Sequence, residues 1–399
     1  MPTALLLENI HPVAEQVLRT AGWDVRTAKG AMDEPELVEA LHGVELLGIR
    51  SKTQVTAKVL ESAPRLVAIG AFCIGTNQID LPASSTNGTA VFNAPFSNTR
   101  SVVELAIAEI IALTRRLTQK DQSLHAGVWD KSAAGAHEVR GRTLGIVGYG
   151  NIGSQLSVVA EALGMRVVFY DTADKLALGN AHRCATLDEL LEAADVVSLH
   201  VDGRAGNAGL FGEPQLRRMK PGAIFLNLSR GFVVDHEALR DHVVSGHLSG
   251  VAVDVFPEEP KAQGDEFTSI LRGLPNVILT PHIGGSTEEA QEHIGLFVAG
   301  KLRDYATTGS TMLSVNLPTL DLPQRPENHR VAHLHHNVPG VLARVNGVLA
   351  DHGVNVEGQL LATRGDLGYV LTDMNLDAAP DVVDELSRLP ETVRLRVLS

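Results

Sequence analysis

Cysteine is scarce: Cys73 and Cys184 are the two in 399 residues. They are too few for a disulfide framework, and neither lies in a spacing that suits a metal. No run of eighteen apolar residues occurs, so no membrane-spanning helix is expected. Positive charge is also short, with 34 Lys and Arg against 47 Asp and Glu and a formal charge of −13. Without a basic footprint, nucleic acid is not an expected partner. The opening segment has no basic start, and Glu8 interrupts its apolar run, so it reads as a first strand and not a signal peptide. These shortages together point to a reduced, cytoplasmic protein.

What is present is apolar material for more than one core: 44% hydrophobic residues and 20% charged. At about 150 residues per domain, the length suggests two or three. Residues 1–95 alternate strand candidates (Ala4–Leu7, Leu46–Ile49, Leu66–Ala71, Ala90–Phe92) with helical spacing over Pro12–Thr20, Glu34–Leu41 and Thr56–Glu61. Such alternation implies parallel strands in an α/β layer. The long apolar run Asn98–Arg116 predicts a buried helix that crosses between lobes or lines a dimer interface. Six further runs read as strands covered on both faces: Thr143–Val147, Arg166–Tyr170, Val196–His200, Ala223–Asn227, Gly250–Val255 and Val277–Thr280. A helix over Glu288–Tyr305 follows, then Leu317–Asn328 with Pro318, Pro323 and Pro326, which reads as a linker with little to pack. From Val331 the order is βαββαβ, with a hairpin turn at Arg364–Gly368, the ferredoxin-like arrangement. The expected fold class is therefore two Rossmann-like or flavodoxin-like parallel-sheet domains and a small C-terminal ferredoxin-like domain.

Gly148-Tyr-Gly150-Asn151-Ile152-Gly153 matches G-x-G-x-x-G. At this glycine content chance alone gives about 0.3 matches, so context decides. A strand leads into Gly148, a helical stretch from Ser154 to Leu163 follows, and a second strand ends in Asp171. Gly148 permits the turn, Gly150 lets a pyrophosphate approach, and Gly153 allows close helix–strand packing. The helix N-terminus offers N–H groups to that pyrophosphate. Asp171 suits ribose hydroxyls and repels a 2′-phosphate, which favours NAD over NADP.

Hydride transfer to a carbonyl needs a proton donor and a cation for a substrate carboxylate. Three segments at strand carboxyl ends supply candidates: Arg230 in Leu-Ser-Arg-Gly, Glu259 in Asp-Val-Phe-Pro-Glu-Glu-Pro, and His282 in Thr-Pro-His-Ile-Gly-Gly. In a doubly wound sheet ligands bind outside these ends. Any one of the three alone reads equally as an ordinary surface residue.

Together with Gly-Tyr-Gly-Asn-Ile-Gly, these motifs make the chain resemble the D-isomer-specific 2-hydroxyacid dehydrogenases. Arg50-Ser51-Lys52-Thr53, Phe72-to-Asp80, Phe92-to-Val103 and the C-terminal domain narrow the resemblance to the phosphoglycerate dehydrogenases with one ACT domain. It covers the chain from about residue 4 to the end. By that resemblance His282 is the acid/base, Glu259 its partner, and Arg230 the carboxylate ligand. NAD contacts fall on Gly148, Gly150, Asn151, Ile152, Gly153, Asp171, Leu228, Ser229, Arg230, Asp254, His282, Gly284 and Gly285. Substrate contacts fall on Arg50, Ser51, Lys52, Asn98 and Arg230, with Lys131 reaching a neighbouring subunit. Lys52 stands where arginine is frequent, which keeps the charge and loses the fork.

The resemblance further implies a discontinuous substrate domain (1–97 with 287–318), a cofactor domain (98–286), a linker (319–328) and an ACT domain (329–399). It implies 3-phospho-D-glycerate as substrate in the first step of L-serine synthesis. L-serine is implied as effector at His335, Asn337, Pro339, Gly340 and Asn355, in a homotetramer paired through cofactor and ACT domains. Pro326 departs from a Gly-Gly hinge, and His336 replaces an acidic residue. His333-x-His335-His336 is an incomplete metal site and reads as a polar strand face, so no metal is expected. Two rival readings remain: a dehydrogenase of another D-2-hydroxy acid such as 2-hydroxyglutarate, and a catalytically silent sensor of NAD and amino acids. Retention of Arg230, Glu259 and His282 together disfavours the sensor.

Overall fold

A computed structural model describes residues 1–260, 264–323, 329–375 and 380–398. They divide into two compact units, one of residues 1–97 with 291–399 and one of residues 98–290.

The first unit begins with strands β1 (Thr3–Leu6), β2 (Asp24–Thr27), β3 (Val44–Ile49), β4 (Ala68–Ala71) and β5 (Ala90–Asn93) in a parallel sheet ordered β2-β1-β3-β4-β5. Helices α1 (Pro12–Thr20), α2 (Glu34–Ala40), α3 (Ala57–Ser62) and α4 (Leu81–Thr86) connect them. Their starts are chemically marked. Asp33 and Glu36 form a capping box, and Thr56 and Asp80 accept from the backbone N–H three residues on. Such caps contribute about 1 kcal/mol each.

The second unit opens with α5 (Thr99–Thr114) and α6 (Leu117–His125). Its strands are β6 (Thr143–Val147), β7 (Arg166–Tyr170), β8 (His182–Arg183), β9 (Val196–Leu199), β10 (Ala223–Asn227), β11 (Leu248–Val253) and β12 (Val277–Leu279). Helices α7 (Asn151–Ala162), α8 (Leu187–Ala193), α9 (Glu213–Arg218) and α10 (His236–Val244) link them. The parallel sheet runs β12-β11-β10-β9-β6-β7-β8, so the order reverses between β6 and β9. That reversal opens a crevice beside the Gly148 turn. Strands β6, β9 and β10 bury every residue, as double-sided cover requires.

Helix α11 (Glu288–Thr308) precedes the C-terminal sheet of β13 (His329–His336), β14 (Val356–Arg364), β15 (Leu367–Met374) and β16 (Thr392–Leu398), antiparallel in the order β14-β15-β13-β16. Helices α12 (Val341–Asp351) and α13 (Pro380–Ser387) cover one face, packing Val345, Leu349, Val382 and Leu386 against Val331 and Met374. The other face joins the core of the same unit: Ala332, Leu334, Tyr369 and Leu371 share a cluster with Phe92, Leu302 and Tyr305. Arg394 donates to the carbonyls of Leu66, Pro64 and Asn87, and Arg396 to those of Tyr305 and Ala306. Buried Arg330 forks onto Asp373 at 2.6 and 2.8 Å.

Two expectations are corrected. Leu317 and Leu320, in the segment read as having little to pack, are buried in the shared core. Prolines break regular structure there without preventing burial. Pro326 and its neighbours 324–328 lie outside the described residues. His333 and His335 do share a side of β13, but that face is not polar and open: both are buried, with ring centroids 5.4 Å apart. A central strand covered on both faces leaves no solvated side.

Candidate active site

The glycine turn has the geometry its three roles demand. Gly148 sits at φ +93, and a Cβ there would meet the carbonyl oxygen of His200 at 2.6 Å. A Cβ on Gly153 would run into the Gly148 carbonyl and Ile146, so helix α7 packs on β6 at backbone distance. Around Gly150, the residue before α7, no atom other than those of its chain neighbours lies within 4 Å of a built Cβ. That open space above free N–H groups is what a pyrophosphate requires. Asn151 is exposed and Ile152 half-buried at the helix start. Asp171 follows β7 and is pinned by backbone N–H groups of Tyr149 and Ala173, each at 2.8 Å. Its carboxylate is thereby held beside the turn, and the residues fit NAD.

Strands β10, β11 and β12 are neighbours, and their carboxyl ends bring Arg230, Glu259 and His282 together. Asn227, wholly buried, accepts from the N–H and hydroxyl of Ser229 and donates to the Arg230 carbonyl. This fixes the Leu228–Arg230 edge. Gly231 follows because a Cβ there would collide with the backbone of Phe256 and Pro257. The Arg230 and Glu259 loops therefore touch backbone to backbone. Phe256 N–H then donates to Glu259 Oε1 at 3.1 Å.

Glu259 Oε2 lies 2.9 Å from Nδ1 of half-exposed His282. This hydrogen bond raises the imidazole pKa, against the opposing effects of burial and Arg230. Burial pushes Glu259 up, but the His282 hydrogen bond and charge, Phe256 N–H and Arg230 outweigh it, and its pKa falls. The pair thus favours carboxylate and imidazolium. His282 adopts φ +55, a left-handed conformation uncommon for a residue with a side chain. Buried Asp254 holds that turn: it accepts from Thr280 Oγ1 at 2.7 Å, and from the N–H groups of Ile283 and Gly284 at 2.8 Å. Gly285 lies against Asn98, whose amide a Cβ would strike.

Arg50, Ser51 and Lys52 form a loop after β3. Glu8, at φ +61 and buried, accepts from the N–H groups of Lys52 and Thr53, while Gln78 donates to the Arg50 carbonyl at 2.6 Å. Sequence reading missed Glu8, Gln78, Asn227 and Gly231 as organisers. Lys131 is exposed in the segment after α6. In the C-terminal sheet His335 is buried, whereas Asn337, Pro339, Gly340 and Asn355 are exposed. Asn337 follows β13 at the hairpin end, with its N–H on the Asp366 carbonyl. Asn355 precedes β14 at the opposite end, with its N–H on Asn375. Eight residues of β13 span about 25 Å between those ends, so one chain does not bring the two asparagines together.

Residues 107–284 match the model described as "D-isomer specific 2-hydroxyacid dehydrogenase, NAD binding domain", and residues 331–394 match an "AHAS small subunit-like ACT domain". The D-3-phosphoglycerate dehydrogenase of Haemophilus influenzae is 48% identical over 99% of this chain and 96% of its own. That of Escherichia coli is 48% identical over 99% of this chain and 97% of its own. The solved D-2-hydroxyisocaproate dehydrogenase superposes with a TM-score of 0.73 at 26% identity, covering 79% of this chain and 99% of its own. Near-full-length identity of this order, over a sheet that carries the glycine turn and the Arg230, Glu259 and His282 loops, has one consequence: the chain belongs to the D-3-phosphoglycerate dehydrogenase family of D-isomer-specific 2-hydroxyacid dehydrogenases.

Proposed function

We infer that this chain oxidises 3-phospho-D-glycerate to 3-phosphohydroxypyruvate with NAD, the step that leads into L-serine synthesis. The observation that carries the reading is the convergence of Arg230, Glu259 and His282 on adjacent strand ends of a glycine-turn sheet. Gly150, Asn151, Ile152 and Asp171 hold the cofactor, which when bound accepts a hydride from C2 of the substrate. Arg230 pairs with the α-carboxylate in a forked contact and orients C2. His282, with Nδ1 engaged by Glu259, uses Nε2 to take the hydroxyl proton, and returns it in the reverse direction. Arg50 and Lys52 supply the cations for the phosphate. The test is NADH oxidation with 3-phosphohydroxypyruvate, 2-oxoglutarate and pyruvate side by side. The reading expects the phosphorylated keto acid to be preferred in kcat/KM by at least about tenfold, 1.4 kcal/mol of transition-state binding. Preference for 2-oxoglutarate or pyruvate would replace the substrate.

The ACT domain makes a small-molecule effector the fitting partner, and L-serine is our assignment. Because Asn337 and Asn355 lie at opposite ends of one sheet, the site we propose joins Asn337 of one copy to Asn355 of a second. This requires a homo-oligomer paired through its C-terminal sheets.

A further inference from the structure

Helix α5 carries a carboxyl group that the chemistry above does not use. Glu109 is 3% exposed, and neither of its oxygens has a hydrogen-bond partner among the described residues. It lies on the helix face of Val102 and Leu105, seven and four residues away along the stripe that neighbouring turns share. That face underlies the His282 turn. A Cβ built on Gly284 would stand 3.5 Å from Val102, 3.8 Å from Leu105 and 2.9 Å from Asp254 Oδ2. One turn further, Leu113 flanks Gly250 at the start of β11. Glu109 thus sits between two anchors of α5 along β11, the strand that Asp254 follows.

Asp254 is the charged group that acts on Glu109. The other elements packed on α5 add little: β10, β11 and β12 contain no ionisable side chain, Glu161 of α7 is turned to the Asn180 N–H, and on α6 Lys120 pairs with Asp130 and His125 with Asp121. Beyond Asp254 stand His282, then Glu259 and Arg230. Burial, with the Asp254 charge, pushes the Glu109 carboxyl up to about 8. The group is therefore neutral at pH 7. Asp254 alone then carries charge, and it spends that charge on three donors that shape a left-handed turn. Two carboxylates in one buried place do not both ionise cheaply. Ionising Glu109 sets a second negative charge beneath the turn, and the repulsion between the two side chains weakens the hold on it.

We propose that Glu109 is a positioning residue for the His282 turn, acting as the neutral acid that leaves Asp254 the sole charge beneath it. The proposal rests on His282 being the proton-transfer group. Its test is the pH profile of kcat for 3-phosphoglycerate oxidation at saturating NAD, from about pH 6 to about pH 10. The parent is expected to rise as His282 loses its proton and to fall with a midpoint near 8. Glu109→Gln, which has no proton to lose, is expected to keep the rise and lose the fall. The shape of the profile is the readout, and an unchanged alkaline fall in Glu109→Gln overturns the proposal. A second arm holds if that variant does not fold. Difference infrared spectra of the parent should show an un-ionised carboxyl at pH 7 that titrates away near 8, at a lower pH in Asp254→Asn. Absence of that band overturns the proposal too. A parent inactive on 3-phosphoglycerate contradicts the functional reading instead, and the infrared arm still decides this one.

Discussion

The catalytic sheet and the C-terminal sheet solve opposite problems. In the first, residues from three loops meet within one chain because β10, β11 and β12 are neighbours. Each loop is locked by buried polar groups: Asn227 for Arg230, Phe256 N–H for Glu259, Asp254 for His282. In the second, the two asparagines assigned to the effector are exposed and held apart at opposite ends of the sheet. Chemistry needs geometry fixed before substrate arrives. The effector site proposed above depends on a second copy for its completion, so serine binding and subunit arrangement would be coupled.

The sharpest way to break the comparison is at the catalytic sheet. His282→Ala should lower kcat by about 10²–10⁴ while NADH binding, followed by fluorescence, persists. Near-full activity would remove His282 from proton transfer. Next in size is the buried pair of Arg330 with Asp373 across β13 and β15, whose guanidinium also donates to the carbonyls of Thr308 and Leu322. Arg330→Met leaves Asp373 buried without its partner and should cost about 3–5 kcal/mol in urea unfolding. A cost below about 1 kcal/mol would place the pair among exposed ones.

Smaller effects sharpen the contrast. The parent should prefer NAD over NADP by at least about tenfold, and replacing Asp171 by serine should erode that preference. Equal use of both cofactors by the parent contradicts its placement. Smallest is the effector: millimolar serine should raise the melting temperature by a few degrees through selective binding to the folded state. Asn337→Ala should abolish the shift, and so should Asn355→Ala, with turnover in the absence of serine retained. A shift that survives both changes places the effector elsewhere.

What sequence made legible follows the same division. Six strands of the second unit were readable from their runs of Val, Ile and Leu, although β7 and β12 prove only partly covered, while β8, the exposed pair His182–Arg183, was not. The glycine turn was readable because steric limits leave no other residue at Gly148 and Gly153. By contrast β2, Asp-Val-Arg-Thr, buries one residue at a sheet edge and carries no pattern. Helix α4, Leu-Pro-Ala-Ser-Ser-Thr, carries no apolar period to mark it, and its start is capped by Asp80. Glu8 looked like an interruption of a strand. It became an organiser through contacts 44 and 45 residues away, which no local spacing encodes. His333 and His335 were placed on the right strand, but their burial depends on what packs over it.

Glu259 holds His282 in its charged form, and a pair of pH profiles decides whether it does. In the reducing direction the imidazolium is the proton donor, so kcat is full at low pH and falls as pH rises through the His282 pKa. Because that pKa is raised chiefly by the Glu259 hydrogen bond, the fall should lie above the ordinary histidine range of about 6.5. Glu259→Gln keeps the shape and removes the charge, so its profile should fall at distinctly lower pH. Coincident profiles for the parent and Glu259→Gln would mean that Glu259 does not set the charge of His282.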